Sequence, residues 1–359
     1  MMTPRRKPAQ ASKPLSMADL ARELGVSMTT VSRALSDHYS IGAATKQRVQ
    51  KLARKLNYQP NHLAAALRKG HSRLLGVVVP YIEGEFFPAV IQGIERAASK
   101  AGYSVIICQS HEDEHVERHS VEMLLHAQVA GMLVSLASTT QQYHHFENAG
   151  KRGVPVVFFD RIPARADVNA VALDDYEGGY LCTKHLLAQG YTRIAHLAGP
   201  QHLSIYSNRC RGYQDALREA GVARGELQAS ADLIRYTDMK QAQGAAAMHE
   251  LLALPQPPDA VFAAGDYCAL GAMQMAMTQG LRIPQDLAIC GFSNEKFTLV
   301  TQPSLTSVDQ RCEEMGQAST NLLLEALDAG TSFIPRKVLM RPVLVLRDSS
   351  KRVVTSMSA

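Results

Sequence analysis

The stretch Ser16-Met-Ala-Asp-Leu-Ala-Arg-Glu-Leu-Gly-Val-Ser-Met-Thr-Thr-Val-Ser-Arg-Ala-Leu35 leaves little freedom to the first part of this chain. Ser16 stands where a side-chain oxygen can satisfy an orphan backbone N–H at a helix start. Asp19, three residues on, takes the place of the Glu or Gln of a capping box. Ala18, Leu20, Ala21 and Leu24 form an apolar stripe at helical spacing, and Gly25 permits the left-handed conformation that ends a helix. Ser27 caps a second helix, with Val31 and Leu35 directed inward and Met28, Thr29, Ser32 and Arg33 outward. Two short helices, a tight turn and a small, polar, cationic outer face make a helix-turn-helix, whose second helix enters the DNA major groove. An ordinary helical hairpin would not require both caps and the glycine stop.

Charge is distributed to match. Residues 1–73 hold 14 basic and three acidic residues, a net +11, while the remainder of the chain is −6. A basic module on a mildly acidic body is the footprint of a polyanion binder, because neutralising phosphates releases condensed counterions. Residues 1–14, rich in Arg, Lys, Pro, Ala and Ser, read as a disordered basic tail.

With 359 residues the chain has room for two or three domains with sizeable cores. No apolar run is long enough to span a bilayer, and the basic N-terminus has no apolar segment behind it, so a cytoplasmic location is expected. The six cysteines (108, 182, 210, 268, 290 and 312) are dispersed and read as reduced, mostly buried thiols. His144-His145, in a Gln/Tyr-rich helix, lacks a cysteine or carboxylate at ligand spacing and is not read as a metal site. No phosphate-binding glycine loop, dinucleotide fingerprint or His-Glu-x-x-His is present, so neither enzyme chemistry nor a cofactor is expected.

Beyond the motif, Thr45 is expected to cap a third helix over roughly 45–57, with Val49, Leu52, Ala53 and Leu56 on one face. Pro60 ends it. Asn61-His-Leu-Ala-Ala-Ala-Leu-Arg-Lys-Gly70 follows as a short helical segment. Here the residues become specific. Val26, Ser27, Thr30, Val31, Ser32 and Arg33 match a Val-Ser-x-x-Thr-Val-Ser-Arg recognition helix, and Asn61, Ala64 and Leu67 match an Asn-x-x-Ala-x-x-Leu hinge. In both, the chain resembles the LacI/GalR (lactose-repressor/galactose-repressor) family. Position then suggests roles. Met28 and Thr29 are placed for base edges, Arg33 for a guanine or a phosphate, and Ser27, Thr30 and Ser32 for the backbone. Ser16 belongs with the same DNA-facing set. The resemblance implies that paired hinge helices of two subunits enter the minor groove, with Leu67 wedged between central base pairs. A leucine that merely packs the linker is the plain alternative.

From Leu74 the pattern changes to apolar strands alternating with amphipathic helices. Strands are expected at Leu74–Val79, Ser104–Ile107, Gly131–Ser135, Val154–Phe159 and Ala170–Leu173, then at Arg193–Ala198, Ala260–Ala263 and Asp286–Gly291. Helices are expected at Phe87–Ala101, Val116–Ala127, Tyr176–Gln189, Gly212–Ala220, Gln241–Leu254 and Tyr267–Gln279. Two such series imply two α/β lobes of doubly wound parallel sheet, with ligand beyond the carboxyl ends of the strands. The resemblance implies the same periplasmic-binding-protein-like body. The expected organisation is a tail (1–14), an all-α helix-turn-helix domain (15–60), a hinge and linker (61–72) and an effector and dimerisation domain (73–348). Within the last, the N-lobe takes 73–172 and 302–329 and the C-lobe 173–301 and 330–348; residues 349–359 form a tail.

Candidate effector residues stand at strand ends. Asp160 and Arg161 follow one strand, Asp266 follows another, and Ser293 a third. Arg209 matches the family's effector-binding arginine, and Phe87 offers an aromatic face. An Arg fork with a carboxylate suits vicinal hydroxyls. Plainer roles exist for each: Asp160 and Arg161 pairing across the lobes, Asp266 capping a helix, Arg209 as surface charge, Phe87 as core. Two departures from the family stand out. Its Asn-Asp pair reads Gly265-Asp266, and its Phe/Tyr-Asp-Asp turn reads Phe292-Ser293-Asn294. One acidic acceptor fewer beside Arg161 raises an anionic effector, a sugar acid or sugar phosphate, alongside neutral sugars.

The sequence thus points to a ligand-responsive, homodimeric DNA-binding regulator, more a repressor than an activator, acting on a palindromic operator. A sugar-binding protein of a transport system would share the body but has no use for the basic first 73 residues. Leu67→Ala is expected to weaken binding and bending of a palindromic operator, read by gel mobility, while effector binding is unchanged. An unaltered operator affinity would remove the wedge.

Overall fold

The computed structural model describes residues 16–56, 58, 72–224 and 231–352. The chain divides into two compact units, Met1–Ser72 and Arg73–Ala359. Asn61, Ala64 and Leu67 of the expected hinge lie outside the described residues.

In the first unit α1 (Met17–Leu24), α2 (Met28–Leu35) and α3 (Ala43–Lys55) enclose a small core. Leu20, Ala21, Val31, Ala34, Val49 and Ala53 are buried in it. Each Leu or Val so buried contributes about 1.5–3 kcal/mol, which is what a three-helix unit of this size has to live on. Leu35, expected to point inward, is only half-buried; Ala34 takes the fully buried place. The third helix also begins earlier than expected. Gly42, not Thr45, is its cap, and the Gly42 carbonyl accepts from the amides of Thr45 and Lys46. Ala43 and Ala44 favour helix enough to start it with no side-chain cap.

The second unit is built from two six-stranded sheets. The elements of the first half are β1 (Leu74–Val79), α4 (Phe86–Lys100), β2 (Ser104–Gln109), α5 (Glu114–His126), β3 (Gly131–Val134), α6 (His144–Lys151), β4 (Val156–Phe159) and β5 (Asn169–Leu173). Next come α7 (Asp175–Ala188), β6 (Ile194–Ala198), α8 (Ser204–Arg224), β7 (Ile234–Tyr236), α9 (Gln241–Leu252), β8 (Ala260–Ala263), α10 (Asp266–Thr278) and β9 (Ala288–Phe292). The chain closes with β10 (Thr306–Asp309), α11 (Cys312–Ala329), β11 (Lys337–Met340) and β12 (Val343–Val345). The N-lobe sheet runs β11-β5-β4-β3-β1-β2, all parallel. The C-lobe sheet runs β12-β10-β9-β8-β6-β7, with only β12 antiparallel. Parallel strands covered on both faces account for wholly buried runs such as Ile194–Ala198 and Ala288–Phe292.

Three corrections to the expected lobe boundaries follow. β10, expected in the N-lobe, pairs with β9 of the C-lobe, and β11, expected in the C-lobe, pairs with β5 of the N-lobe. An apolar run shows that a strand exists, not which of two similar sheets it joins. Residues 349–352 are also no free tail. Ser349 and Ser350 are buried, the Ser349 hydroxyl donates to the Ile289 carbonyl at 2.6 Å, and the Arg352 amide donates to Gln189.

Glycine sets the spacing of the helix pairs. A Cβ on Gly179 of α7 would lie 2.2 Å from the Arg209 carbonyl oxygen of α8, and one on Gly212 would lie 2.1 Å from the Tyr176 oxygen. The pairs α9/α10 (Gly244, Gly271) and α4/α11 (Gly93, Gly316) cross on reciprocal glycines in the same way. Gly179→Ala is therefore expected to destabilise the unit by about 1–3 kcal/mol through overpacking against rigid backbone. Exposed Gly150 in α6 meets nothing within 4 Å, and Gly150→Ala should stabilise by about 0.5–1 kcal/mol. Urea melts of the two variants check both signs.

Candidate nucleic-acid interface and ligand cleft

The first unit presents α2 with both ends fixed. Ser16 caps α1 in a complete capping box: its hydroxyl accepts from the Asp19 amide at 3.3 Å and Asp19 accepts from the Ser16 amide at 3.0 Å. Gly25 ends α1 in the left-handed region at φ 65°, and the Val26 amide reaches back to the Ala21 carbonyl. Ser27 then caps α2, accepting from the Thr30 amide at 3.1 Å, with the two hydroxyls 2.9 Å apart. Ser27 and Thr30 are thus partly spent on holding the helix. Met28, Thr29 and Arg33 are exposed, Met28 by 51%, and Ser32 is half-buried. No acidic residue lies in the first turn of α2, and Arg48, Lys51, Arg54 and Lys55 of α3 are exposed as well. The turn between α2 and α3 carries a feature with no sequence signal. Tyr39 is 91% exposed yet stacked on His38, with ring centroids 4.4 Å apart.

In the second unit, polar groups converge at the carboxyl ends of the strands, where the two lobes face each other. Arg209 of α8 is buried, and every guanidinium nitrogen has a partner. Nε donates to Asp175 Oδ1 at 2.8 Å, with Nη2 in ion-pair contact with the same oxygen at 2.7 Å; Nη1 donates to the Ala264 carbonyl at 2.8 Å and Nη2 to Gln310 Oε1 at 3.3 Å. Its plane covers the Phe292 ring at 3.6 Å from the centroid. Burial, reinforced by nearby Asp160 and opposed by Arg209, pushes the Asp175 carboxyl up to about 6.

On the facing lobe Arg161 is buried and donates from Nη1 to both oxygens of Glu112, at 2.7 and 2.8 Å. Burial works against its charge, but Glu112 and Asp160 outweigh it and hold Arg161 firmly protonated. Asp160 sits at φ 58° with the Ser135 hydroxyl 3.4 Å away, and burial raises its pKa. Asp160 and Arg161 thus do not pair with each other across the lobes; Arg161 pairs with Glu112 within its own.

The other expected ligand residues fare differently. Phe87 is a correction: only 1% exposed, it packs edge-on against Tyr81, Phe86 and Phe159, so it offers a ligand no face. Tyr81 in front of it is the exposed aromatic, 37% accessible. Asp266 is buried and spends both oxygens inside the protein, accepting from the Ser307 hydroxyl at 2.7 Å and the Glu295 amide at 2.9 Å. It does not cap α10, whose cap is Gly265. Ser293, at φ 123°, accepts from Gln310 Nε2 at 2.9 Å, so Gln310 joins Ser293 to Arg209. Glu112, Asp175, Gln310 and Tyr206, whose ring centroid lies 5.3 Å from the Arg209 guanidinium carbon, were not anticipated. Glu112 and Gln310 do follow strand ends, the signal that found Asp160. Asp175 does so too, two residues after β5, and is also the first residue of α7.

His145, one of the histidine pair, is buried with Nε2 3.0 Å from Glu117 Oε1, and Glu117 also accepts from the Ala137 amide and the Thr140 hydroxyl. Among the described residues no group of three or more His, Cys, Asp or Glu is placed to hold a metal ion. None of their helices is long and apolar enough to cross a membrane.

Glu295, which bonds Asp266, carries a pH signature. Its Oε2 is buried with no hydrogen-bond partner. Burial first, then Asp266 and Glu85, lift its pKa from 4.5 to about 7. The folded chain therefore keeps a proton that the unfolded chain gives up, and the stability this lends below pH 4.5 is lost as pH rises through 7. Glu295→Gln should be near neutral at pH 5 and more stable than the parent at pH 8. Thermal melts at the two pH values check it, and an equal effect at both would refute it.

Comparison with known proteins meets both units. Residues 16–61 match the bacterial regulatory proteins of the lacI family, and residues 72–340 match the periplasmic binding proteins and sugar-binding domain of the LacI family. The HTH-type transcriptional repressor CytR of Escherichia coli (strain K12) is 32% identical over 336 residues, 94% of this chain and 96% of that protein. PurR of Pectobacterium carotovorum is 30% identical over 87% of this chain and 90% of its own length. Among solved structures, the Lac repressor bound to ONPG in its repressed state superposes with TM-score 0.80 at 25% identity, covering 94% of this chain and all of that one. The CelR–cellobiose complex gives 0.69 at 27%, covering 93% and 99%. With matched regions this extensive and the two units in the same order, the chain belongs to the LacI family of bacterial regulatory proteins.

Proposed function

We propose that this chain is a cytoplasmic transcriptional repressor that binds a palindromic operator as a homodimer and answers to a small sugar-like effector in the cleft between the lobes. The observation that carries the reading is α2: capped at its start, free of acidic residues in its first turn, anchored by Val31 and Ala34, and exposing Met28, Thr29 and Arg33. Met28 and Thr29 meet base edges, through a thymine methyl and through a hydroxyl with its own methyl. Arg33 takes a guanine or a phosphate. Ser16, Ser27, Thr30 and Ser32 hold the helix on the backbone, and the exposed cations of α3 add sequence-independent attraction. Asn61, Ala64 and Leu67 serve as the hinge.

A single helix-turn-helix reads one half-site, so a two-fold protein is required for a palindrome. The relatives CytR and PurR are named as repressors, and CelR is seen with cellobiose. Both support the sign and the class of ligand. In the cleft Arg209, Asp160, Arg161 and Ser293 surround the effector, and Asp266 acts on it only by positioning the turn after β9. The chain performs no reaction of its own; its work is linkage between two binding sites.

Selection from random duplexes should enrich a palindrome that the chain binds tightly at low salt and far more weakly at 200 mM. Thr29→Ala should cut the ratio of selected to random DNA affinity about tenfold or more, the size of a base contact, with affinity for random DNA unchanged. A ratio unaffected by Thr29→Ala would mean that α2 is not the reading helix.

A further inference from the structure

We propose that Asp175 is an internal counter-ion that occupies Arg209, so that the cleft selects an uncharged, hydroxyl-rich effector and excludes acids and phosphates. This rests on the reading of the cleft as the effector site. Asp175 is the first residue of α7 and is buried, and its Oδ1 accepts from Nε of Arg209 and lies 2.7 Å from Nη2 in an ion pair. The remaining nitrogen is held by the Ala264 carbonyl, and one face of the guanidinium is covered by Phe292. In an arginine fork built to receive a carboxylate or phosphate, two adjacent N–H groups wait for the ligand. Here the Nε–Nη2 edge is already faced by the protein's own groups, Nε donating to Asp175 and Nη2 to Gln310 with the Asp175 oxygen 2.7 Å from it.

The rest of the cleft follows the same pattern. Arg161 is neutralised by Glu112, and Asp160, which feels the charge of both arginines, brings a third carboxyl for two guanidinium groups. An anionic effector would have to evict Asp175 from Arg209 and leave that carboxylate buried without a partner, the costly way to break a buried ion pair. A hydroxyl asks for no such exchange, since it donates to Asp160 or Asp175 while accepting elsewhere. Asparagine at 175 would offer Arg209 the same oxygen without the charge. What the carboxylate adds is therefore discrimination, and Asp175 is a positioning and specificity residue.

The test needs no knowledge of the natural effector. Inorganic phosphate is the probe, titrated against sodium chloride at equal ionic strength, with melting followed for the full chain, for Asp175→Asn and for Asp175→Asn/Arg209→Gln. The basic first unit responds to phosphate alike in all three, so the comparison isolates the cleft. Asp175→Asn should gain about 5 °C more from saturating phosphate than the parent, and the double variant should lose that gain. A parent that gains as much as Asp175→Asn, or an Asp175→Asn that gains nothing, overturns the proposal. Should Asp175→Asn fail to hold its fold in chloride, recovery of helical circular dichroism on adding phosphate takes the place of the melt. Recovery then supports the proposal and its absence overturns it. The titration reads anion capture alone, whereas operator selection reads the DNA function, so either can fail without the other.

Discussion

The contact on which the cleft depends is the buried pair of Arg209 and Asp175. Through one guanidinium the start of α7, the end of β8, the end of β9 and the segment after β10 are held in register. A buried ion pair is a weak source of net stability, because desolvation cancels most of the attraction. Removing one partner is another matter and costs about 3–5 kcal/mol. The pair therefore specifies geometry more than it adds stability. Its placement is steric in origin: Gly179 lets α7 approach until it touches the Arg209 carbonyl, and Gly199 leaves the space that the Tyr206 ring fills. Small residues decide where the charge sits.

Backbone strain gathers at the same place. Among the described residues nine non-glycine positions have positive φ, and seven of them follow strand ends: His111, Glu112, Asp160, Met239, Ser293, Asn294 and Arg311. Each such position costs on the order of 1–3 kcal/mol and persists only where its surroundings dictate it. Those surroundings are visible. The Arg311 amide donates to Asp309, Asn294 is tied to both Asp309 and Arg347, and Ser293 is held by Gln310. At the amino ends of the strands, where helices run into strands, Gln128 is the one such position among the described residues. Strain and hydrogen bonding are concentrated at the proposed effector cleft.

Much of this was legible in the residues. The helix-turn-helix was, because caps, stops and helical spacing are local and Ser16, Gly25 and Ser27 each do one thing. Buried parallel strands announced themselves as apolar runs, so β1 and β8 appear with the bounds expected of them. What failed was of two kinds. The pairing of β10 and β11 is a long-range choice between two similar sheets, and no local pattern encodes it. Phe87 looked like a ligand face because aromatics suit both jobs, and only the presence of Tyr81 in front of it decides for core. Arg209 could be picked out from its motif, but its partner Asp175 could not. Asp174-Asp175 reads as acidic residues at a helix start, and Asp174 does cap α7. That the second carboxylate turns to an arginine on the next helix depends on how closely α7 and α8 cross.

That crossing bears on how a signal would leave the cleft. Thermodynamic coupling requires an effector to interact differently with two states of the protein, and DNA affinity then changes by the factor that DNA imposes on effector affinity. Each guanidinium nitrogen of Arg209 already has a protein partner, so an effector that recruits it competes with Asp175, Ala264 or Gln310. Those groups belong to α7, to the end of β8 and to the segment after β10 that crosses from one lobe to the other. Gln310 lies between the C-lobe strand β10 and α11, which packs on the N-lobe through the Gly93–Gly316 crossing. A ligand that alters the Arg209–Gln310 contact therefore acts on the connection between the lobes as well as on its own pocket. Side chains that could slide would absorb such a change. A helix pair locked on backbone carbonyls at glycine distances cannot, and passes it on as a movement of whole elements.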